Sequence, residues 1–216
     1  MEKRGFVMRT NTLTVYSDGK LGFHYQKSKE PTYKVGGRIG IDTGRNKLIS
    51  CSNGVIENTH PNGMLTKDIL ERINKKMVNS KNAEQARLFL RNQICFSLKN
   101  DIDWNTASEI YIEDLRSIKK GNSWGKKHQF WAVGFCHKRL EQLCEENDVR
   151  LIRVAAAYTS RTCSVCGVVD KKSRSGEDFC CTSCGFTEDA DINAACNILA
   201  RGVNSPSVLK NKLSVI

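Results

Sequence analysis

Four cysteines in the last third of the chain have the spacing expected of ligands for a structural metal ion. Cys163 and Cys166 form one C-x-x-C pair, Cys181 and Cys184 form a second, and 14 residues lie between the pairs. This spacing is close to that of a zinc ribbon, in which four thiolates close a tetrahedral shell and leave no position open for a substrate. We therefore expect a structural zinc, with ordinary buried thiols or disulfides as the alternative. Cys180 is a spare beside Cys181, because its gap to Cys184 fits a metal-binding turn less well.

A helix that begins with acidic residues follows the cysteines. Thr187 or Asp189 is a candidate N-cap, and Gly202 is a candidate C-terminal stop. Asp191 precedes Ile198 by seven residues, so it lies in the first turn, on the face that we expect to pack inward. A buried carboxylate needs a cation or a metal ion as its partner, because an unpaired buried charge is unfavourable. A second capping aspartate is the alternative interpretation of Asp191.

The overall charge indicates a polyanionic partner. The 216 residues include 34 Lys and Arg against 23 Asp and Glu, a formal net charge of +11, which makes nucleic acid the first candidate. A basic protein without such a partner is the alternative. No apolar run approaches the about 18 residues that a membrane span needs, and the first 30 residues lack the apolar core of a signal peptide. We therefore expect a cytoplasmic protein with no membrane partner, in which the remaining cysteines are buried thiols.

Several short strands are predicted before and around the acidic residues. Alternating apolar residues near the start of the chain predict a hairpin with its turn at residues 17–20. Ile39–Asp42 is an apolar strand that ends in an acid and opens an antiparallel meander with Leu48–Cys51. Ile110–Asp114 is again apolar and again ends in acid. This repetition predicts that carboxylates lie at the ends of two core strands.

Helical patterns separate these strands. Helical spacing runs from residue 65 to about residue 100, and a helix from Gln129 to Glu146 leads to a strand at Val149–Val154. The predicted segments are a short basic β element (1–38), the first part of the core (39–158), the ribbon (159–188), the last core helix (189–202) and a mobile C-terminal tail (203–216).

The predicted order is β-β-β-α-α-β-α-β, a zinc ribbon and a last helix. Such an α/β arrangement, a mixed sheet with flanking helices, resembles the RNase H fold. In that fold the element ends that carry Asp42, Glu113 and Asp191 meet at one edge. Three converging carboxylates repel one another and form an oxygen-only ligand set that selects Mg²⁺ or Mn²⁺. Two such ions about 3.5 to 4 Å apart can promote phosphodiester hydrolysis.

A basic segment between Leu115 and Leu140 contains no acidic residue and is the predicted nucleic-acid contact. Trp124 and Trp131 lie among its charges and offer faces on which unpaired bases could stack, with a place in the core as the alternative for Trp131. A solvated loop and helix face is the alternative interpretation of the charges. The basic residues are Arg116, Lys119, Lys120, Lys126, Lys127, Lys138 and Arg139.

Four motifs together resemble the RuvC-type nuclease segments of transposon-encoded TnpB proteins and type V CRISPR effectors. They are Gly40-Ile41-Asp42-x-Gly44, Tyr111-Ile112-Glu113-Asp114-Leu115, Thr159-Ser160-Arg161-Thr162-Cys163-Ser164-x-Cys166-Gly167 and Asp191-x-Asn193-Ala194-Ala195-x-Asn197-Ile198. The resemblance covers roughly residues 36 to 202. It implies that Asp42, Glu113 and Asp191 are catalytic acids and that the four cysteines hold a ribbon zinc.

The sequence therefore predicts a metal-dependent DNA endonuclease of phage or mobile-element origin, with single-stranded or branched DNA as its partner. Only 38 residues precede Ile39, where guide-dependent members of the resembled group carry long recognition domains. The alternatives are a non-cleaving nucleic-acid-binding module or regulator, a nuclease for branched junctions or RNA-DNA hybrids, and the catalytic part of an assembly with a guide RNA or a partner protein.

Overall fold

The computed structural model describes residues 6–15, 19–27, 33–44, 46–57, 63–64, 66–74, 80–115 and 129–204. The chain divides into two compact units, Met1–Tyr33 and Lys34–Ile216. In the first unit, β1 (Phe6–Val15) pairs with β2 (Leu21–Lys27) as an antiparallel hairpin whose register shifts between Met8 and Leu13. The predicted β element is present. Its predicted end at residue 38 falls inside the next strand.

A five-stranded sheet forms the centre of the second unit, in the order β5-β4-β3-β6-β7. Strand β3 pairs antiparallel with β4 and parallel with β6, and β6 pairs parallel with β7. The predicted antiparallel meander and the two acid-ending strands are therefore confirmed as parts of one mixed sheet. Its strands are β3 (Gly37–Asp42), β4 (Ile49–Cys51), β5 (Ile56–Glu57), β6 (Ala107–Glu113) and β7 (Arg150–Val154).

Four α-helices lie within the described residues and cover both faces of this sheet. Alternate residues of β6 separate the two sides: Ile110 and Ile112 pack into the large core with the first three helices, whereas Tyr111 packs with Ile198 of the last helix. The predicted helix from Gln129 to Glu146 has the predicted bounds. The helices are α1 (Thr66–Asn74), α2 (Lys81–Asn100), α3 (Gln129–Glu146) and α4 (Ala190–Val203).

Helix α4 lies unusually close to the sheet because two glycines leave room for it. A β-carbon at Gly40 would lie 2.2 Å from the carbonyl oxygen of Ala195, and one at Gly202 would lie 1.9 Å from Cδ1 of Tyr111. The helix continues to Val203, so Gly202 does not end it. Its glycine is required by packing on the buried Tyr111 ring, which corrects the predicted role as a C-terminal stop.

The four-cysteine segment folds as a small antiparallel sheet between β7 and α4. Its strands are β8 (Arg174–Ser175), β9 (Asp178–Cys180) and β10 (Thr187–Asp189), in the order β10-β9-β8. A single aromatic ring, that of Phe179, is buried with Cys163 and Cys181 to form its core. A core this small needs a crosslink or a metal ion to be stable.

The architecture confirms the predicted mixed α/β class with flanking helices. No helix among the described residues is both long enough and apolar enough to cross a membrane.

Candidate metal centre and acidic site

The four predicted zinc ligands converge in the ribbon. The Sγ atoms of Cys163 and Cys184 are 3.7 Å apart, those of Cys166 and Cys181 are 3.6 Å apart, and all four lie within 4.8 Å of one another. A tetrahedral Zn²⁺ with Zn–S bonds of about 2.3 Å requires sulfurs roughly 3.8 Å apart. The cluster therefore fits one zinc ion, and Cys180, whose side chain is exposed, is not part of it.

Two equivalent turns present these sulfurs. Gly167 and Gly185 have φ angles of 76° and 73°, and their amides donate to the carbonyls of Cys163 and Cys181. Only glycine adopts such angles without strain. Hydrogen bonds from the backbone amide of Cys184, and from the amide next to it, lower the pKa of Cys181 to about 6, which favours the thiolate that a metal needs.

The three predicted catalytic acids lie at neighbouring element ends. Asp42 ends β3 and Glu113 ends the parallel β6, each one residue beyond the paired Ile41 and Ile112. Asp191 lies in the first turn of α4, the helix that packs on β3. The sheet and its closest helix therefore bring together residues that are far apart in the sequence.

The charges of two of these carboxylates act on the third, Asp42. Burial, followed by the charges of Glu113 and Asp191, raises the pKa of Asp42 to about 7. Burial also raises the pKa of Glu113, although the hydroxyl of Thr159, which donates to Glu113 Oε1, and the charge of Arg201 oppose this shift. Asp42 therefore carries a free-energy penalty when it is ionised beside the other two acids without a metal.

Arg174 brings a cation from the ribbon to these acids. Its Nη2 atom donates to Asp191 Oδ1 at 2.8 Å, and its charge lowers the pKa of Asp42 against the effect of burial. Sequence reasoning missed this residue. An isolated arginine in a short strand has no periodic or spacing signal, and only the fold places β8 beside the start of α4.

Lys47, also missed, is a nearly buried cation in the turn after β3, with a side chain 7% exposed. Its ammonium donates to Asp189 Oδ2 and lies 3.7 Å from both Asp191 Oδ2 and Glu177 Oε2. The other oxygen of Asp189 caps α4 by accepting from the amides of Asp191 and Ile192. Asp189 is thus the N-cap, and Lys47 ties the start of α4 to the turn that follows Asp42.

Replacing Lys47 by methionine is expected to lower the free energy of unfolding by about 1–3 kcal/mol, because the charged Asp189 loses its side-chain partner. Lys67→Met, at an exposed position on α1, is the matched control and should change stability by less than about 0.5 kcal/mol. Urea denaturation of both variants measures this difference. Equal stability of the two variants would show that the Lys47 contacts contribute nothing.

Two asparagines of the last predicted motif hold the ribbon against α4. Asn193 Nδ2 donates to the carbonyl of Thr162 at 2.8 Å, and its Oδ1 accepts from the amide of Ser164 at 2.9 Å. Asn197 Nδ2 donates to the carbonyls of Thr159, at 3.0 Å, and Thr162, at 2.6 Å. These buried side-chain amides provide hydrogen-bond partners for the polar backbone groups of the irregular segment that leads into the first metal-binding turn.

Most of the predicted nucleic-acid contacts lie outside the described residues. Lys138 is exposed on α3, and Arg139 on the same helix is paired with Glu146 at 3.0 Å. Trp131 lies on α3, but its side chain is not among those described. The remaining predicted contacts fall outside the described residues: Arg116, Lys119, Lys120, Trp124, Lys126 and Lys127.

The donor set of the acidic site suits a hard cation, since its ligands are carboxylate oxygens. Within the described part of the chain, only the four cysteines gather their ligand atoms within 4.8 Å of one another. The carboxylate of Asp191 instead contacts Arg174 and has Lys47 nearby. Asp42, Glu113 and Asp191 could hold Mg²⁺ or Mn²⁺, while Arg174 and Lys47 balance the charge of Asp191 in the metal-free protein.

Parts of the chain are similar to known proteins. Residues 136–198 match the TNB domain of Cas12f1-like proteins. The chain is 36% identical over 90 residues to the CRISPR-associated endodeoxyribonuclease Cas12f1 of Sulfoacidibacillus thermotolerans, covering 41% of this chain and 21% of that protein. It is 34% identical over 95 residues to the TnpB-like protein aq_aa05 of Aquifex aeolicus, covering 41% of this chain and 31% of that protein.

A solved structure of a CRISPR-Cas12f ternary complex shares the fold, with a TM-score of 0.51 and 22% identity over 83% of this chain and 41% of that chain. The chain spans less than a third of the length of either relative named above. The resemblance that the four motifs indicated is therefore confirmed: residues 136–198 are similar to the TNB domain of Cas12f1-like proteins, and the chain is similar to TnpB-like and Cas12f1 proteins.

Proposed function

We propose that this chain is a metal-dependent nuclease with an RNase H-like, RuvC-type core, interrupted by a zinc ribbon, and that it hydrolyses phosphodiester bonds of DNA. The convergence of Asp42, Glu113 and Asp191 at adjoining element ends carries this proposal, supported by the effect of the Glu113 and Asp191 charges on the pKa of Asp42. A relative is named as an endodeoxyribonuclease, which supports DNA as the substrate.

In this proposal the three carboxylates hold Mg²⁺ or Mn²⁺, which when bound supplies an activated water and charge stabilisation at the scissile phosphate. Asp42 and Glu113 are fixed by the sheet, and Thr159 orients Glu113 through its hydrogen bond. Arg174 contributes a positive charge to the same site, where negative charge accumulates on the phosphate. The four cysteines hold a structural zinc, which keeps the strand that carries Arg174 folded.

The basic segment is proposed to bind the phosphate backbone of single-stranded or branched DNA, because the chain carries a net charge of +11. The match to a small part of the longer Cas12f1 relative favours a second form of the same proposal. In it, this chain is the catalytic part of an assembly with a guide RNA or a partner protein.

Purified protein is expected to cleave labelled DNA in Mg²⁺ or Mn²⁺ and not in EDTA, and Glu113→Gln is expected to lose this cleavage. The assay compares single-stranded, duplex, hybrid and four-way-junction substrates, with and without RNA that copurifies with the chain. Glu145→Gln, at an exposed position on α3, is the matched control and should cleave normally. Equal cleavage by wild type and Glu113→Gln would reject the proposed site. DNA binding without cleavage under every condition would instead indicate a binding module.

A further inference from the structure

Tyr158 has a backbone conformation that its residue type disfavours. Its φ and ψ angles are 65° and 5°, in the left-handed region. Among the described residues only Asp148 shares a positive φ without being glycine, and aspartate tolerates this region better than an aromatic residue does. Unfavourable conformations of this kind persist where the surrounding structure enforces them, and they concentrate at functional sites.

Contacts on both sides of Tyr158 enforce its conformation. Its carbonyl accepts hydrogen bonds from the amides of Arg161 and Thr162 and from the Thr162 hydroxyl. Arg201 of α4 donates to the carbonyls of Ala155 and Ala157, just before it. All of these bonds involve backbone atoms of residues 155–158, so glycine or asparagine at position 158 would preserve them with less strain.

The aromatic ring does not contribute to the core, because Tyr158 is 62% exposed. The stability of the fold therefore does not explain a large exposed ring on a strained backbone. Tyr158 lies beside the acidic site, because the next residue, Thr159, donates its hydroxyl to Glu113. Arg161, exposed three residues further along, offers a cation for a phosphate of the same strand.

We propose that Tyr158 is a stacking platform for an unpaired base of the DNA strand that enters the acidic site. The inference rests on the proposed nuclease function and adds a subsite to it. Base stacking on an aromatic ring is tolerant of sequence and requires an unpaired base. The subsite therefore favours single-stranded or locally opened DNA over intact duplex, and it positions the strand next to Glu113.

The test measures binding of a short fluorescein-labelled oligothymidylate to the purified chain in EDTA, where cleavage cannot interfere. Tyr158→Asn removes the ring at a position where asparagine is tolerated, and it is expected to weaken binding by about 10-fold or more. Tyr158→Phe should bind within about twofold of wild type. An oligonucleotide that carries 2-aminopurine should be quenched on binding to wild type and to Tyr158→Phe, but not on binding to Tyr158→Asn.

Thermal melting separates this role from a structural one. Tyr158→Asn relieves backbone strain, so its melting temperature is expected to equal or exceed that of wild type. Its affinity for DNA is nevertheless expected to be lower. Phe96→Ala, which removes another exposed ring, on α2, is the control and should leave binding unchanged. Wild-type affinity in Tyr158→Asn, or no binding of single strands by wild type, would overturn the proposal. The result is independent of the cleavage assay, so a failure of the subsite can be told from a failure of the nuclease function.

Discussion

Replacing Asp42 by asparagine is expected to abolish cleavage and, in the absence of divalent metal, to make the protein more stable. Loss of a carboxylate that we propose holds Mg²⁺ should remove several kcal/mol of charge stabilisation, which corresponds to a rate reduction on the order of 10³-fold. The same change removes the carboxylate whose pKa is raised from 3.8 to about 7 by burial and by Glu113 and Asp191. The gain in unfolding free energy at pH 8 is on the order of 2–4 kcal/mol.

The pH dependence identifies the cause of this gain. A carboxyl group whose pKa is raised in the folded protein destabilises it as the pH rises from about 4 towards 7, because the unfolded chain ionises first. The advantage of Asp42→Asn should therefore be absent near pH 4 and complete at pH 8. Urea denaturation in EDTA at both pH values measures it, and Mg²⁺ should raise the stability of wild type only. If Asp42→Asn is less stable than wild type at pH 8, the ionised Asp42 carboxylate does not destabilise the folded protein, and the assignment is wrong.

The second large effect concerns zinc. Purified wild type is expected to contain one zinc ion per chain, and Cys181→Ser is expected to lose it and to unfold the ribbon. Structural zinc stabilises isolated zinc-finger peptides by about 10–16 kcal/mol, and the ribbon has only Phe179 as a buried aromatic residue to replace that contribution. Elemental analysis measures the metal, and limited proteolysis measures the folding of the ribbon.

Cys180 supplies the matched control for this experiment. It is adjacent to Cys181 but exposed and outside the sulfur cluster, so Cys180→Ser should retain both zinc and protease resistance. Zinc retention by Cys181→Ser, or equal zinc loss in the two variants, would reject the proposed ligand set. Because Arg174 lies in the ribbon, Cys181→Ser should also reduce cleavage without altering any of the three acids.

Much of the fold could be predicted because its signals are local. Apolar runs that end in acid identified the strands of Asp42 and Glu113, and apolar spacing gave α3 its bounds. The cysteine pairs likewise lie close together in the sequence, and their sulfurs converge as expected. The approach of the three acids required a further step, the resemblance to a known fold, because no local pattern links β3 to α4.

The cations of the site could not be predicted, and the reason is physical. Lys47 pairs with Asp189, and Arg174 pairs with Asp191, across contacts that exist only after α4 and the ribbon have packed on the sheet. A single lysine or arginine looks the same in a sequence whether it is solvated or paired. The role of Gly202 was predicted wrongly for a similar reason: a glycine near a helix end suggests a stop, while its contact with Tyr111 is visible only in three dimensions.

The close packing of α4 on the sheet also determines when the acidic site can form during protein synthesis. Residues 190–203 are the last described element to leave the ribosome, whereas β3, with Asp42, is the first strand of the sheet. Until the helix emerges, the surface of β3 at Gly40 has no cover, and the nascent chain carries two of its three acids. A chain stalled before residue 190 therefore cannot assemble the trio. The three acids that we propose as metal ligands can therefore come together only after the helix has been synthesised and has packed on the sheet.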